Sequence, residues 1–544
     1  MRQRRSIYRL AAFAAAAISL LALLVSVVDP DGLALVDRQP TPTADTAISK
    51  PKLPHHAVRA AALPVASVTM AARAVGKPVP PSYFGISTEY WTLPLYARHL
   101  RLFERVLSLL HVPGTGPMIL RIGGDSADHT FWDPQMHAMP PWAFRVGPSW
   151  LKVAGLLVRR DNVRLILDLN LVTGSSPTAA TWAQAAKRYL PPHSIVGFEI
   201  GNEPDIYSRW NWLRTLGPSQ GGPALLPRRL SAAKYISDFR EYAHALARVA
   251  PDVPLAGPAL AHPALNLNWL SGLIAGAEPG LGMITAHRYP YSACVRRSSV
   301  NYPSIPRILA DRATVGLARM LAPAVRLSDR AGLPFRLTEL NSVTCGGVRG
   351  ISDTFATALW APDALFELLR AGVGGVNVHV RANPINAAFA FTSRGLVARP
   401  LLYGLLLFSR SLGAGGRLVP LQIHAQPSLH LKAWAVRVDG LLHVLLIDKG
   451  DRGVRVDLRL PGSGPAFVQR LLASSARARS GVTLAGQQLD AAGKWQGLLQ
   501  LPRIPRYAGA YQLALSRLSA ALVNVQEQAP ARPAPGIPGP ARAL

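Results

Sequence analysis

Two segments of the sequence place a glutamate at the end of a predicted buried β-strand. The first, Ile195-Val-Gly-Phe-Glu-Ile-Gly-Asn-Glu-Pro-Asp205, presents Asn202 and Glu203 just before a proline that stops the strand. The second, Phe335-Arg-Leu-Thr-Glu-Leu-Asn341, is an apolar run that carries Glu339. Glycoside hydrolysis needs such a pair, an acid that protonates the leaving oxygen and a carboxylate across the anomeric carbon. One glutamate at a strand end is more often a solvated rim residue, but the pair favours catalysis.

The scaffold that must hold these carboxyl groups is indicated by short apolar runs that alternate with helical patterns, as in βα units. Eight such runs within about 300 residues predict an α/β protein with a (β/α)8 TIM barrel over 64–412. Glu203 follows the fourth predicted strand and Glu339 ends the seventh, so both face the barrel mouth. The eight predicted strands are Tyr83–Ser87, Met118–Ile122, Arg164–Asn170, Ile195–Gly201, Pro254–Gly257, Met283–His287, Phe335–Glu339 and Gly375–Val380.

After the barrel the pattern changes to short strand-like segments separated by turn residues, which predicts a β-sandwich domain over 413–517. Residues 64–76, ahead of the barrel, are expected to supply one of its strands. Repeated Pro and Ala residues predict a disordered tail over 518–544.

The N-terminus has the pattern of an export signal. Four Arg precede an apolar, uncharged run from Leu10 to Val28, and about 19 such residues are near the minimum that spans a bilayer. A cleaved signal peptide and a signal anchor over 1–28 are both open, because no clear cleavage site follows. The Pro/Ala-rich residues 29–63 predict a linker. We therefore expect an extracytoplasmic protein, secreted or anchored, that meets the membrane only through its N-terminal segment.

Composition limits the possible partners. The formal net charge of +29 favours an acidic partner, but the Arg residues are scattered and no nucleic-acid-binding motif occurs, which argues against nucleic acid. The two cysteines, Cys294 and Cys345, favour a disulfide in an exported protein, with two free thiols as the alternative. Neither cysteine has a metal ligand at the usual spacing. We expect no metal and no cofactor, because two carboxylates suffice for glycoside hydrolysis.

Several motifs resemble glycoside hydrolase family 79, the heparanase and β-glucuronidase group, within the clan of retaining (β/α)8 glycosidases. They are Gly201-Asn-Glu-Pro204, His287-Arg-Tyr-Pro-Tyr-Ser-Ala-Cys294, Glu339-Leu-Asn-Ser-Val-Thr-Cys-Gly-Gly347 and Ser352-Asp-Thr-Phe-Ala-Thr-Ala-Leu-Trp-Ala-Pro-Asp363. The resemblance spans roughly Val65 to Leu515 and includes the β-domain.

The resemblance implies a role for each matching residue. Glu203 would be the general acid/base and Glu339 the nucleophile, while Asn202 would hydrogen-bond the sugar 2-OH. Tyr289 would contact the nucleophile, and Arg121 would keep it ionised. A donor and a cation next to a carboxylate both lower its pKa. The resemblance also strengthens the Cys294–Cys345 pairing, across two neighbouring loops.

Further residues are candidates for substrate binding. Glu89 and Asp125 follow the first and second strands and would line the pocket or its rim, and Asn341 lies in the motif that contains Glu339. His287 sits at the end of the sixth strand, where a structural hydrogen bond and a substrate contact are both open. Arg381 lies in the loop after strand eight, where sugar-acid-binding relatives often carry glycines. This chain has none there, so glucuronide specificity would depend on Arg381 pairing with a carboxylate.

These patterns together predict a retaining β-glycosidase, β-glucuronidase-like or acting on neutral glycosides, with a carbohydrate substrate. Exo and endo cleavage are both open. A transglycosylase would share the covalent intermediate, and a tethered, non-catalytic carbohydrate-binding protein would share the fold. A non-catalytic binding protein would not need both Glu203 and Glu339.

Overall fold

The computed structural model describes residues 62–70, 76–208, 229–276, 278–382 and 384–527. The predicted signal or anchor over 1–28 lies outside these residues, as do most of the linker over 29–63 and the end of the tail. In the described ranges no helix is both long enough and apolar enough to span a bilayer.

A closed barrel of eight parallel strands forms the centre of the molecule. Neighbours in the barrel are consecutive in the chain, from β1 to β8 and back to β1. Each predicted strand is present with its bounds shifted by a few residues, so the predicted (β/α)8 barrel is confirmed. The strands are β1 Phe84–Glu89, β2 Met118–Gly123, β3 Val163–Leu169, β4 Ile195–Ile200, β5 Leu255–Leu260, β6 Leu281–Arg288, β7 Phe335–Leu340 and β8 Gly375–His379.

Helices follow most of the strands. Their starts are marked by local signals: Ser175 and Ser231 each accept a hydrogen bond from a backbone N–H in the first turn of the helix that follows, and Pro148 opens another helix. The helices are Thr92–Ala97, Leu100–Leu110, Pro148–Arg160, Ser176–Tyr189, Ala232–Ala247, Leu267–Ala275, Ile305–Leu309, Val315–Arg330, Phe355–Arg370 and Pro400–Ser411.

The β-domain consists of two sheets that enclose a core of their own. The smaller sheet has the order Gln422–His424, Val65–Thr69, Val454–Arg459, Ala510–Leu515 and Arg506–Tyr507. The larger sheet runs from Lys77–Pro78 through Arg417–Val419, Leu431–Val438, Leu441–Asp448, Ser519–Gln526 and Ala466–Leu472 to Thr483–Leu484, with Arg503–Ile504 paired beside it. Val65–Thr69 therefore lies in this domain, parallel to Val454–Arg459.

The larger sheet of the β-domain is buried on both faces. In Leu441–Asp448, Val444 and Leu446 pack into the core between the sheets, whereas Leu445 and Ile447 belong to the core cluster of the barrel. A strand covered on both sides reads as a continuous apolar run, as this one does. The same contact explains why the helices Phe355–Arg370 and Pro400–Ser411 are buried along almost their whole length.

The predicted start of the disordered tail at residue 518 is wrong. Ser519–Gln526 is an eight-residue strand between Leu441–Asp448 and Ala466–Leu472. The strand is rich in small residues, which made it resemble the tail that follows. The segment forms a strand because it pairs with a neighbour on each edge and is buried on both faces. Neither feature can be read from the sequence of the segment alone.

A buried ion pair joins the barrel to the β-domain. Lys449 donates to Asp363, and both are almost fully buried. Trp434 donates its Nε1–H to the other carboxylate oxygen of Asp363 at 3.1 Å. Removing the cation would leave a buried, uncompensated carboxylate, which is costly because water cannot solvate it.

We expect Lys449→Met to lower the free energy of unfolding by about 3–5 kcal/mol, the usual cost of removing one partner from a buried ion pair. Urea unfolding followed by circular dichroism measures this change. Lys494→Met, at an exposed position of the β-domain, is the matched control and should change stability by less than about 0.5 kcal/mol. Equal effects of the two variants would contradict a structural role for the pair.

Candidate active site

The two predicted catalytic carboxyl groups meet at the carboxyl-terminal mouth of the barrel. One oxygen of Glu203 and one of Glu339 lie within 4.8 Å of each other, and a ring nitrogen of His287 lies within the same distance of both. Carboxyl groups about 5–5.5 Å apart are typical of retaining glycosidases, and those of inverting enzymes are about 6.5–9.5 Å apart. Oxygens that approach within 4.8 Å leave little room for a water molecule between the carboxyl groups, which favours the retaining class.

The backbone after β4 turns sharply to present Glu203. Gly201 has a φ of +79° and Glu203 a φ of +52°, both in the left-handed region. A side chain at Gly201 would meet Leu171 Cδ2 at 2.7 Å, so this turn needs a glycine. The Glu203 N–H donates to Ala259 O at 3.1 Å. A non-glycine residue held in this region is a strained conformation of the kind found at functional sites.

The β6–β7 pairing places Glu339 beside His287. The register shifts between Ala286 and His287, so His287 pairs with Glu339 where Ala286 pairs with Leu337. Such a bulge changes the direction of the side chains that follow it and is common next to active sites. Sequence periodicity does not reveal a shift of one residue.

Four groups stabilise the ionised form of Glu339. Burial alone would raise the pKa of its carboxyl, but the charges of His379, His287 and Arg121 and the hydrogen bond from the Tyr289 hydroxyl outweigh it and lower the pKa to about 2. Arg121 is charged at every relevant pH and lies 3.3 Å away. Glu339 is therefore a carboxylate at neutral pH, the form in which it is a nucleophile.

Arg121 is fully buried and forms the base of the site. Its Nε donates to Glu199 at 2.7 Å, and one terminal nitrogen donates to Asp168 at 2.8 Å and to Asn202 Oδ1 at 3.0 Å. Burial alone would lower the pKa of Arg121, but the charges of Glu199, Asp168 and Glu339 outweigh it and raise the pKa. The guanidinium thus holds carboxylates from three barrel strands and orients the Asn202 amide.

The surroundings of Glu203 raise the pKa of its carboxyl, in contrast to those of Glu339. Burial, with smaller contributions from Glu339 and Asp125, raises the pKa of its carboxyl, although the hydrogen bond with His287 opposes the shift. His287 Nδ1 lies 3.1 Å from Glu203 and 4.0 Å from Glu339. Two neighbouring carboxyl groups whose pKa values are shifted in opposite directions are a mark of an acid and a nucleophile.

His287 bridges the two carboxyl groups and is fully buried. Burial alone would lower its pKa, but the charge of Glu339 and the hydrogen bond to Glu203 raise it. Of the two roles left open by the sequence, the structure places His287 in the structural one, since no surface of it faces the pocket. A contact between His287 and the substrate stays a prediction.

The catalytic pair lines a pocket of about 390 Å³. Four other predicted binding residues line it as well, namely Glu89, Asp125, Tyr289 and Arg381. Burial, and then the charge of Asp125, raise the pKa of Glu89 to about 7. Arg381 approaches Glu89 to 3.7 Å and is partly exposed. This end of the pocket therefore combines two acids and one cation.

Asn341 does not line this pocket. Its side chain is fully buried, and the amide donates to the backbone carbonyls of His379 and Asn386 at 3.0 and 2.9 Å, while its oxygen accepts from Ser342 N. Its predicted role in substrate binding is wrong, because backbone groups use its hydrogen bonds. Asn341 instead ties the loops after β7 and β8 together.

Cys294 and Cys345 form a disulfide that lines the pocket. They follow two short strands, Tyr291–Ser292 and Val343–Thr344, which pair in parallel above the barrel. The disulfide expected from the even cysteine count is therefore present, and it links the loops after β6 and β7.

Two acids of this site, Glu199 and Asp168, were not among the sequence candidates. Glu199 and Asp168 hold Arg121, and His379 lies 3.4 Å from Glu339. Burial lowers the pKa of His379 to about 4. A signal for the two acids does exist in the sequence, because a charged residue inside an apolar strand needs a buried partner.

Glu203, His287 and Glu339 are the single group of three potential metal ligands in the described part of the chain. All three are ligand types that a transition metal accepts. The guanidinium of Arg121, however, already neutralises the charge of Glu339 and opposes a second cation there. The electrostatics of the site therefore favour proton transfer and nucleophilic attack over metal binding.

The low pKa of Glu339 predicts a pH-dependent contribution to stability. An ordinary Glu has a pKa near 4.5, so a folded-state pKa of about 2 adds stability above pH 4.5 that is lost as the pH falls toward 2. We expect the stability advantage of the wild type over Glu339→Gln to shrink by about 2 kcal/mol between pH 6 and pH 3. Urea unfolding over this range measures it, with exposed Glu241→Gln as the control. A constant difference would contradict the low pKa.

Comparison with known proteins identifies relatives among fungal enzymes, although no family model matches the chain. A β-glucuronidase of Neurospora crassa is 26% identical over 344 residues, which cover 56% of this chain. The chain spans 58% of that relative's length. A β-glucuronidase of Aspergillus niger is 22% identical over 465 residues, covering 75% of this chain and 83% of the relative.

Solved structures share the fold. A 4-O-α-L-rhamnosyl-β-D-glucuronidase from Fusarium oxysporum 12S, solved as a Rha-GlcA complex, superposes with a TM-score of 0.68 at 17% identity and covers 84% of this chain and 100% of that one. A family 51 arabinofuranosidase from Xanthomonas axonopodis pv. citri reaches a TM-score of 0.63 at 14% identity, covering 85% and 100%. The chain thus shares the fold of these glycosidases and is similar in sequence to fungal β-glucuronidases, which confirms the predicted resemblance to family 79.

Proposed function

We propose that this protein is a retaining β-glycosidase. The observation that carries the proposal is the pair Glu203 and Glu339, with oxygens within 4.8 Å of each other and pKa values shifted in opposite directions. At neutral pH one group is an anion next to Arg121, while burial favours the protonated form of the other. Those are the two states that the first step of a double displacement requires.

In the first step, a Glu339 oxygen attacks the anomeric carbon while Glu203 gives its proton to the glycosidic oxygen. The bond between carbon and leaving oxygen breaks, the alcohol departs, and the sugar is esterified to Glu339. In the second step, Glu203 takes a proton from a water molecule whose oxygen attacks the same carbon, and Glu339 leaves as a carboxylate. Two inversions retain the configuration.

The fixed groups around the pair support these steps. Arg121 and the Tyr289 hydroxyl stabilise Glu339 as an anion before the attack and after its release. His287 hydrogen-bonds Glu203 and holds the acid/base in place. Arg121 donates to Asn202 Oδ1, and the Asn202 amide nitrogen lies 3.5 Å from Asp125 Oδ1, so the second N–H of this amide is the donor that remains for a sugar. A hydrogen bond from it to the 2-OH would strengthen in the transition state.

For the substrate we propose a β-linked uronic acid. Two fungal relatives are named β-glucuronidases, and Arg288, Arg312 and Arg381 line the pocket. A guanidinium pairs well with a sugar carboxylate. The Arg381 side chain is partly exposed and lines the pocket. It lies in the loop after β8, where sugar-acid-binding relatives often carry glycines and this chain has none.

Two alternatives share this fold. A transglycosylase differs from a hydrolase in the second step, and a carbohydrate-binding protein carries out neither step. A transglycosylase would pass the sugar from Glu339 to another alcohol, so its product would be a new glycoside. A carbohydrate-binding protein would not need two neighbouring carboxyl groups with pKa values shifted in opposite directions. The observed electrostatics therefore favour an enzyme, and water as the acceptor is the simplest second step.

We also infer that the protein works outside the cytoplasm. The Cys294–Cys345 disulfide supports this inference, because disulfides persist in oxidising compartments and are rare in the cytosol. The Arg-rich, apolar N-terminal sequence is consistent with export.

The first experiment assays the purified protein on 4-nitrophenyl β-glucuronide, β-glucoside, β-galactoside and β-xyloside. We expect hydrolysis of the glucuronide with a β-anomer as the first product, seen by proton NMR. Glu339→Gln should lower kcat by on the order of 10⁴-fold or more, as removal of a catalytic nucleophile does. Glu241→Gln, exposed and outside the pocket, should keep full activity. An α-anomer as first product would contradict the retaining mechanism, and hydrolysis of neutral glycosides alone would contradict the uronic substrate.

The role of Glu203 as acid predicts a dependence on the leaving group. Glu203→Gln should lower the rate by roughly 10²–10⁴-fold for an alkyl glucuronide, whose leaving oxygen needs a proton. The 2,4-dinitrophenolate group departs without a proton, so the rate of the first step with 2,4-dinitrophenyl glucuronide should be nearly unaffected. Mass spectrometry of the variant should then detect sugar esterified to Glu339. An equal loss for both leaving groups would show that Glu203 is not the acid.

A further inference from the structure

The turn that presents Glu203 is anchored to the loop after β5. The carboxylate of Asp205, two residues further along the chain, accepts hydrogen bonds from the backbone N–H groups of Ala261 and His262, each at 2.9 Å. The Asn266 amide donates to the same carboxylate at 2.9 Å. One side of the turn is therefore fixed to a neighbouring loop.

A buried tyrosine supplies a second anchor, toward the loops after β2 and β3. The Tyr207 hydroxyl accepts a hydrogen bond from the Asn202 backbone N–H at 3.2 Å and donates one to Asp128 Oδ2 at 2.7 Å. The other carboxylate oxygen of Asp128 accepts from the backbone N–H of Leu171 at 3.2 Å. These bonds join the backbone next to Glu203 to two further loops of the barrel mouth.

The conformation of the turn explains why it needs anchors on both sides. Glu203 has a φ of +52°, which a residue with a side chain rarely adopts. Such strain persists only where the surrounding contacts over-determine the backbone. The Asn202 N–H is the backbone donor just before Glu203, so its bond to Tyr207 restrains the strained residue directly.

Tyr207 and Asp128 can influence the reaction only through this turn. Both are buried, with 6% and 3% of their surface exposed, and neither lines the pocket that contains the catalytic pair. Burial raises the pKa of the Tyr207 hydroxyl well above its usual range, so the hydroxyl keeps the proton that it donates to Asp128. The two residues therefore do not reach a bound sugar.

We propose that Tyr207, held by Asp128, is a positioning residue for the acid/base Glu203. Its hydroxyl keeps the turn in the conformation in which the Glu203 carboxyl reaches the glycosidic oxygen. The inference rests on the proposed function and adds to it the group that holds the acid in place. The Asn202 side chain is held separately by Arg121, so we expect loss of the Tyr207 hydroxyl to act mainly on Glu203.

The test uses Tyr207→Phe in the full-length protein, a change that removes one oxygen atom and keeps the ring. We expect kcat for an alkyl β-glucuronide to fall by roughly 10- to 100-fold, because a misplacement of about 1 Å can cost on the order of 10²-fold. The release of dinitrophenolate from 2,4-dinitrophenyl glucuronide in the first turnover should be nearly unaffected, since it needs no acid. Asp128→Asn, which weakens the bond that holds the hydroxyl, should cause a smaller loss with the same dependence on the leaving group.

Tyr242→Phe is the matched control. It also removes a buried tyrosine hydroxyl, one that donates to Asn170 O at 2.7 Å away from the turn. Urea unfolding should show a comparable loss of stability for Tyr207→Phe and Tyr242→Phe, while Tyr242→Phe leaves both rates unchanged.

A double variant separates positioning of Glu203 from a general loss of structure. If Tyr207 acts through Glu203, Tyr207→Phe should cause no further loss with the alkyl glucuronide in a Glu203→Gln background, because residues that act as a unit have non-additive effects. The same loss in both backgrounds, or an equal loss for both leaving groups, would overturn the positioning role and leave the glycosidase assignment intact.

A structural readout covers the case in which the wild type hydrolyses neither glucuronide. The glycosidase assignment then fails, and crystal structures of the wild type and of Tyr207→Phe decide whether the hydroxyl holds the turn. Displacement of the Glu203 carboxyl from His287 in the variant would support the anchoring role. An unchanged turn with the same φ at Glu203 would overturn it.

Discussion

The site depends on one fully buried cation. Arg121 contacts Glu199, Asp168 and Glu339 in the barrel interior, where unpaired charges of either sign would be costly. The guanidinium stabilises the acids, and the acids in turn keep the guanidinium charged. Because its planar fork has donors in several directions, it also fixes the Asn202 amide. Ionisation of Glu339 and orientation of the Asn202 amide are thus consequences of contacts with the same guanidinium.

The positions of these groups around the closed barrel give Glu203 and Glu339 different electrostatic environments. Glu339 is next to Arg121 and ionised, whereas burial and the charges of Glu339 and Asp125 favour the protonated form of Glu203. His287, placed by the bulge between β6 and β7, lies within 4.0 Å of both carboxyl groups. The opposite pKa shifts of the two glutamates are therefore due to their different environments.

The parts of the molecule around the site have separate roles. The disulfide ties together the loops after β6 and β7 at the pocket wall. The β-domain covers the helices Phe355–Arg370 and Pro400–Ser411 and completes their burial, with Asp363 and Lys449 as a polar contact inside the joint. Trp91 and Trp142, in the loops after β1 and β2, line a pocket that shares Glu89, Asp125 and Arg381 with the one lined by Glu203 and Glu339. Such division is typical of the fold, in which strands carry the chemistry and loops select the ligand.

The sequence alone was enough to predict the barrel, most strands of the β-domain and the candidate pair Glu203 and Glu339, because these depend on local patterns. Apolar runs reveal strands, and a carboxylate at the end of such a run is visible without a structure. Only the tertiary structure decided which polar groups meet. Glu199 and Asp168, as charged residues within apolar strands, indicated a need for buried partners but not that Arg121 is the partner, and Asn341 and His287 proved to hold other protein groups. Ser519–Gln526 became a strand through its neighbours, and Trp91 and Trp142 share a pocket although 51 positions separate them in the chain. A local sequence pattern does not reveal which distant segments come together, so each of these contacts could be identified only in the folded chain.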